Sequence, residues 1–307
     1  MYQENDVRQM VRQALGELLA AQATASDAEP VLAPAAETAA GPAGGWTPER
    51  TAVEEGFAPD VTAISTKDEF HVPKPENREG YLAMKQSTVG RLGVWRAGPR
   101  YNTWSMLHFR ADHATAQDAV FTDVPEEFVQ QQGFVAGQSL ATSKDEFLTR
   151  PDLGRKLNDE TKALFARELP KNAKVTIMVA DGLSSAAMVN IPDIVPAIKQ
   201  GLKSYNIEVG PIPFVKYGRV GTMDDLGELI SSEVVCLLIG ERPGLATGES
   251  MSAYMAYQPS PERPESWRTV VSNIYSGGTP PAEAGAHVAT IIKKILDSKV
   301  SGVELSL

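Results

Sequence analysis

The stretch Val234–Leu245, VVCLLIGERPGL, constrains the fold more than any other part of this chain. Its first half is an unbroken apolar run rich in β-branched side chains, closed by Gly240. A run of that length and composition reads as a β-strand buried on both faces, the kind found in parallel sheets covered by helices. Glu241, Arg242, Pro243 and Gly244 follow where the strand opens into a loop. In an open α/β sheet, ligands sit beyond the carboxyl ends of the strands. One Glu and one Arg are therefore delivered to the place where a ligand would lie.

The rest of the C-terminal half repeats the pattern. VTIMVADGLS (175–184) predicts a second buried strand and a turn, with Asp181 and Gly182 at its carboxyl end. Ile194, Val195, Ile198, Leu202 and Tyr205 recur at helical spacing, predicting a helix over 194–205. Residues 209–219 read as extended and end in Lys216-Tyr-Gly-Arg-Val220. Residues 224–231 read as a short helix with an acidic first turn, and 250–257 and 270–274 as further strands. The prolines of Gly277-Gly-Thr-Pro-Pro281 lead into a last helix over 282–296. Strand–helix alternation at this spacing predicts an α/β fold, a Rossmann-like, mainly parallel sheet with flanking helices, over residues 151–307.

Residues 57–150 read as the helical N-terminal part of the globular region. Within them, 103–112 is predicted helical, with Trp104, Leu107 and His108 on one face and packing as their expected role. Asp112 and His113 are adjacent on that helix and so do not face each other as an acid–base pair. Residues 147–155 form an Arg-bearing turn before a helix through Ala163, Leu164 and Ala166. Upstream, residues 1–20 place Val7, Met10, Val11, Ala14, Leu15, Leu18 and Leu19 on one stripe, predicting an amphipathic helix. Residues 21–56 are dominated by Ala, Pro, Gly, Thr and acidic side chains and read as a flexible linker. An isolated helix of that length is marginal in water, so its apolar face awaits a partner; the alternative is docking onto the main domain.

Several function classes are disfavoured. The formal net charge of −10 argues against nucleic acid and anionic membranes as general partners. The single cysteine, Cys236, excludes an internal disulfide framework and a cysteine-rich metal site. The four histidines, His71, His108, His113 and His287, show no metal-ligand spacing. No apolar run is long enough to span a bilayer and no signal-peptide core is present, so a cytoplasmic protein is expected.

Three strand ends, Asp181-Gly182, Arg219-Val220 and Glu241-Arg242, are expected at one sheet edge, where they would form one pocket. No G-x-G-x-x-G follows a strand, and neither a G-x-x-x-x-G-K-[ST] phosphate loop nor a G-x-S-x-G nucleophile elbow occurs. These loops point to binding of a large, multi-contact small molecule rather than to acid–base chemistry. Ordinary Arg–Glu surface pairs are the competing reading.

Six segments then occur in order from about Ser87 to the C-terminus: RAGPR (96–100), LTRPDLGR (148–155), ADGLSSAA (180–187), VKYGRV (215–220), GERPGL (240–245) and SNIYSGGTPPAEAGAHVA (272–289). Together they resemble the small (light) subunit of ethanolamine ammonia-lyase. The resemblance implies an adenosylcobalamin-dependent lyase that converts ethanolamine to acetaldehyde and ammonia. In that family the Co–C bond breaks homolytically and the resulting radical takes hydrogen from the hydroxyl-bearing carbon of the substrate. The ethanolamine site and the catalytic side chains belong to a separate large subunit, a TIM barrel, and the small subunit holds the cobalamin against it.

By resemblance, the cobalamin contacts map to Val220 in YGRV, Glu241 in GERPG, and Val270 just after Trp267-Arg-Thr. Relatives often carry Cys where this chain has Val270; a backbone contact survives that change, and a thiol-specific one does not. Asp181, Ser184 and Arg242 are further candidates for the pocket. No D-x-H-x-x-G motif occurs, so the resemblance implies base-on cobalamin. Enzymes of this family are commonly packaged in bacterial microcompartments, and residues 1–20 on their linker resemble an encapsulation tag directed at shell proteins. The competing expectation is a non-catalytic cobalamin-binding or scaffolding module of a microcompartment.

Overall fold

The computed structural model describes residues 67–306, and the helix and linker expected over 1–20 and 21–56 lie outside the described residues. The described residues lie in one compact unit. Its centre is a six-stranded sheet in the order β3-β5-β4-β6-β7-β8. The strands are β3 (Val135–Gln138), β4 (Val175–Ala180), β5 (Pro213–Lys216), β6 (Val234–Gly240), β7 (Met251–Tyr257) and β8 (Thr269–Ile274). The numbering starts from a small antiparallel pair outside this sheet, β1 (Arg96–Ala97) with β2 (Arg100–Tyr101).

Strands β3, β5, β4 and β6 are parallel, as the strand–helix alternation predicts. Strands β7 and β8 instead extend the sheet antiparallel. The reason is connection length. A parallel neighbour needs a crossover of a dozen or more residues, usually with a helix. The segments joining β6 to β7 and β7 to β8 carry nothing longer than a 3₁₀ turn at Glu265–Trp267. The sheet is therefore mixed and mostly parallel.

Every residue of β4 and of β6 is buried, which their continuous apolar character requires. Alternate residues of β6 serve opposite layers. Val234, Cys236 and Leu238 pack with α6 (Ile191–Ser204) and α8 (Pro281–Ser298). Val235, Leu237 and Ile239 pack toward α5 (Asp159–Glu168) and α7 (Thr222–Ile230). Helices α6 and α7 thus follow β4 and β5 to opposite faces, which opens a crevice at the carboxyl ends of the central strands.

The remaining helices are α1 (Arg78–Gln86), α2 (Thr103–Phe121), α3 (Glu126–Gln131) and α4 (Lys144–Thr149). Asn102 caps α2 by accepting from the Ser105 N–H at 2.7 Å. The helix runs to Phe121 rather than stopping at Asp112, because an Ala-rich continuation favours helix until Val124-Pro125. Trp104 and His108 share a face, ring centroids 5.5 Å apart, but Leu107 is exposed rather than packed with them. Asp112 pairs with Arg91 and not with His113. Helix α6 begins at Ile191, three residues before the apolar stripe predicts, because Pro192 in its first turn is a helix-start residue. Among the described residues, no helix is long and apolar enough to cross a membrane.

Candidate functional site

The strand ends meet through specific local contacts. At the end of β4, Asp181 is 1% exposed; its Oδ2 accepts from the Tyr217 N–H at 2.8 Å and its Oδ1 from the Gly218 N–H at 3.0 Å. This carboxylate pins the loop leaving β5 against β4. Burial pushes its pKa up to about 6, against the two N–H donors that favour the ionised form. Gly182 next to it has φ +61°, and a Cβ there would lie 2.3 Å from the Gly240 carbonyl oxygen. Only glycine lets β4 and β6 approach so closely at their ends.

The loop from β5 then carries Arg219 and Val220 forward. The Arg219 N–H bonds to the Gly154 carbonyl at 2.7 Å, and its guanidinium donates to the Phe147 carbonyl at 2.7 Å while lying 4.5 Å from the Phe147 ring centroid. Its Nε is buried with no hydrogen-bond partner among the described residues. Burial and the neighbouring Arg155 and Arg242 lower its pKa.

Glu241, at the end of β6, is braced by the antiparallel extension. Its Oε2 accepts from Ser250 Oγ at 2.6 Å, and its Oε1 from Ser252 Oγ at 2.5 Å and the Asn273 N–H at 2.9 Å. The carboxylate therefore ties β6 to the start of β7 and the end of β8. Strand β8 is anchored at its other end by a buried ion pair from Arg268 to Asp224 of α7, at 2.5 Å. That contact sets the position of Val270, whose strand partner is Tyr254.

These elements enclose a cavity of about 440 Å³, lined by Arg219, Val220, Glu241, Arg242, Tyr254 and Val270 among others. Wider grooves exist, one of about 700 Å³ along α2, but the converging strand ends open onto the smaller one. Val220, Glu241 and Val270 all reach it, and Arg242 stands at its rim. Asp181 and Ser184 do not line it. The Asp181 carboxylate is consumed by the β5 loop, and the Ser184 hydroxyl is turned away to the Gly248 carbonyl.

Sequence reasoning passed over Phe147, Ser252 and Tyr254, which also line the cavity. Strand alternation carries a signal for two of them. Ile239 pairs with Ser252 and Leu237 with Tyr254, so both share the β6 face that looks toward α5 and α7. No histidine or cysteine is among the lining residues. Among the described residues, no group of three or more His, Cys, Asp or Glu is placed to hold a metal ion. The cavity is thus an apolar wall with a few convergent donors and one carboxylate already held by three protein donors, a binding arrangement rather than an acid–base one.

Comparison with known proteins agrees with the local motifs. The ethanolamine ammonia-lyase light chain family (EutC) matches residues 78–306. The ethanolamine ammonia-lyase small subunit of Listeria monocytogenes is 56% identical over 256 residues, covering 83% of this chain and 87% of the relative. That of Clostridium perfringens is 55% identical over 250 residues, covering 81% and 85%. That of Clostridium tetani is 48% identical over 309 residues and covers 100% of both chains. A family match across nearly the whole described region, with such identities over most of the chain, places this protein in the ethanolamine ammonia-lyase small (light) subunit family, as the subunit of a lyase.

Proposed function

We propose that this chain holds adenosylcobalamin, in the base-on form, in the cavity lined by Val220, Glu241 and Val270, against a large subunit that binds ethanolamine. The observation that carries the reading is the convergence of those three residues, from the loops that follow β5 and β6 and from β8, on one cavity. The chemistry of the lining fits such a group. A corrin edge with amide arms needs apolar walls interrupted by hydrogen-bonding groups, and Val220, Tyr254 and Val270 alternate here with Arg219, Glu241, Ser252 and Ser272. Arg219 supplies a buried Nε donor without a protein partner, suited to a carbonyl or phosphate oxygen. A carboxylate offers about four acceptor sites, and Glu241 uses three, which leaves one for an amide N–H.

The cofactor, when bound, supplies the radical chemistry, and the protein supplies orientation and exclusion of water. Val220 and Val270 shape the wall. Glu241 and Arg219 fix orientation. The catalytic groups acting on ethanolamine belong to the large subunit in this reading. Exposed apolar side chains on the segment before β3, including Tyr81, Met84, Trp95, Tyr101, Phe109 and Phe121, offer it a docking surface. Residues 1–20 direct the assembly to microcompartment shell proteins, a reading supported by their apolar stripe and the linker behind it.

The test mixes this chain with the large subunit, adenosylcobalamin and ethanolamine, and measures acetaldehyde. Activity only in the mixture supports the reading. Cobalamin binding without turnover in the mixture favours a binding or scaffolding module, and turnover by this chain alone refutes the division of labour. Deleting residues 1–20 should leave turnover intact and release the enzyme from shells; retained encapsulation refutes the tag.

A further inference from the structure

A second cavity, of about 200 Å³, lies between α1, the 88–94 turn and α2, and shares no lining residue with the one above. Lys85 from α1 and Ser105 and His108 from α2 face it, with relative exposures of 5%, 8% and 5%. Buried polar atoms are nearly always satisfied, so each exception needs a cause. Ser105 Oγ and His108 Nε2, one helical turn apart on the same cavity, are both buried without a hydrogen-bond partner among the described residues. His108 Nε2 lies 3.4 Å from Glu69 Oε2, outside hydrogen-bonding alignment.

The neighbouring carboxylates each already have a protein partner. Glu69 Oε1 accepts from Trp104 Nε1, and its Oε2 pairs with His71 Nε2 at 3.1 Å. Arg91 donates to Asp112 Oδ2. What stays open is donor capacity. The Lys85 ammonium carries three N–H groups, one of which goes to the Glu69 carbonyl at 2.5 Å. The Ser105 hydroxyl and the His108 ring nitrogen add to it. A water molecule would satisfy part of this set but would bring two donors of its own into a donor-rich site. Burial also lowers the pKa of Lys85, against the nearby Glu69 and Asp68 carboxylates, which raise it.

We infer that this cavity is a binding site for a small oxyanion, of the size of inorganic phosphate or a short carboxylate, held by Lys85, Ser105 and His108. The site also abuts the loop that starts at Glu241, because Arg91 donates to the Leu245 carbonyl at 3.3 Å.

The test titrates the full chain in its complex with the large subunit, at constant ionic strength. Inorganic phosphate is used in one arm and acetate in the other, with heat and tryptophan fluorescence as readouts. Saturable binding is expected in at least one arm, and the tighter arm identifies the class. Ser105→Ala, a small change that keeps α2 intact, should weaken binding about tenfold. Lys85→Met should abolish it. No saturable binding in either arm, or unchanged affinity in a folded Ser105→Ala variant, overturns the inference. So does a high-resolution structure in phosphate with only water on Ser105 and His108.

Discussion

Glu241 offers the sharpest separation of charge from geometry. In Glu241→Gln, Oε1 can keep both of its donors, Ser252 Oγ and the Asn273 N–H, while the new amide donates to Ser250 Oγ, whose hydroxyl turns to accept. The brace across β6, β7 and β8 then survives, and the expected loss of stability is below about 1 kcal/mol. In Glu241→Ala all three donors lose their partner. The serine hydroxyls can rotate and the Asn273 N–H can take water, so the loss is about 2 kcal/mol rather than the sum of three bonds. For a chain of this size that lowers Tm by roughly 5 °C. Thermal unfolding of the two variants measures the first effect, and equilibrium binding of adenosylcobalamin to their complexes with the large subunit measures the second. Glu241→Ala should weaken cobalamin binding about tenfold or more, and Glu241→Gln by a smaller factor set by the charge alone. Equal destabilisation by Gln and Ala would refute the three-strand brace. Wild-type cobalamin affinity in a folded Glu241→Ala complex would refute the contact.

Two further outcomes follow from burial. The Asp181 carboxyl has a folded pKa of about 6 against an ordinary value of 3.8, so the folded chain holds its proton more tightly than the unfolded one. Its contribution is fully present below the lower value and is lost as pH rises through the upper one, a change of roughly 3 kcal/mol. Chemical denaturation between pH 3 and 7 should show wild type losing that much relative to Asp181→Asn, and parallel profiles would count against it. Burial also pushes the Cys236 thiol up to about 12, so it should resist alkylation in the native chain and react only on unfolding. Fast labelling of the folded protein would show that β6 is not closed on both faces.

Much of this architecture was legible because its causes are local. The unbroken apolar runs of β4 and β6 could be satisfied only between two helix layers, and proline and acidic residues marked the helix starts. The end of α2 was misplaced because Ala-rich turns after Asp112 carry helix propensity without an apolar stripe. The site was half legible. Asp181, Arg219 and Glu241 were placed at strand ends by position, but position alone could not say which side chains the protein would use up itself. Asp181 and Ser184 turn away because backbone partners across the loops claim them, and Arg242 stays because none does.

Family motifs in the sequence point to Val220, Glu241 and Val270, which lie far apart in the chain, as the proposed cobalamin contacts. In the structure all three line one cavity. Leu237, Tyr254 and Val270 lie opposite one another across β6, β7 and β8, so Tyr254 and Val270 share the face that looks toward α5 and α7. Hydrophobic periodicity, being a property of neighbours in the chain, determined the layers. Desolvation and unfilled donors are properties of neighbours in space, so the unpartnered nitrogen of Arg219 and the donor-lined cavity at Lys85, Ser105 and His108 were decided only by tertiary packing.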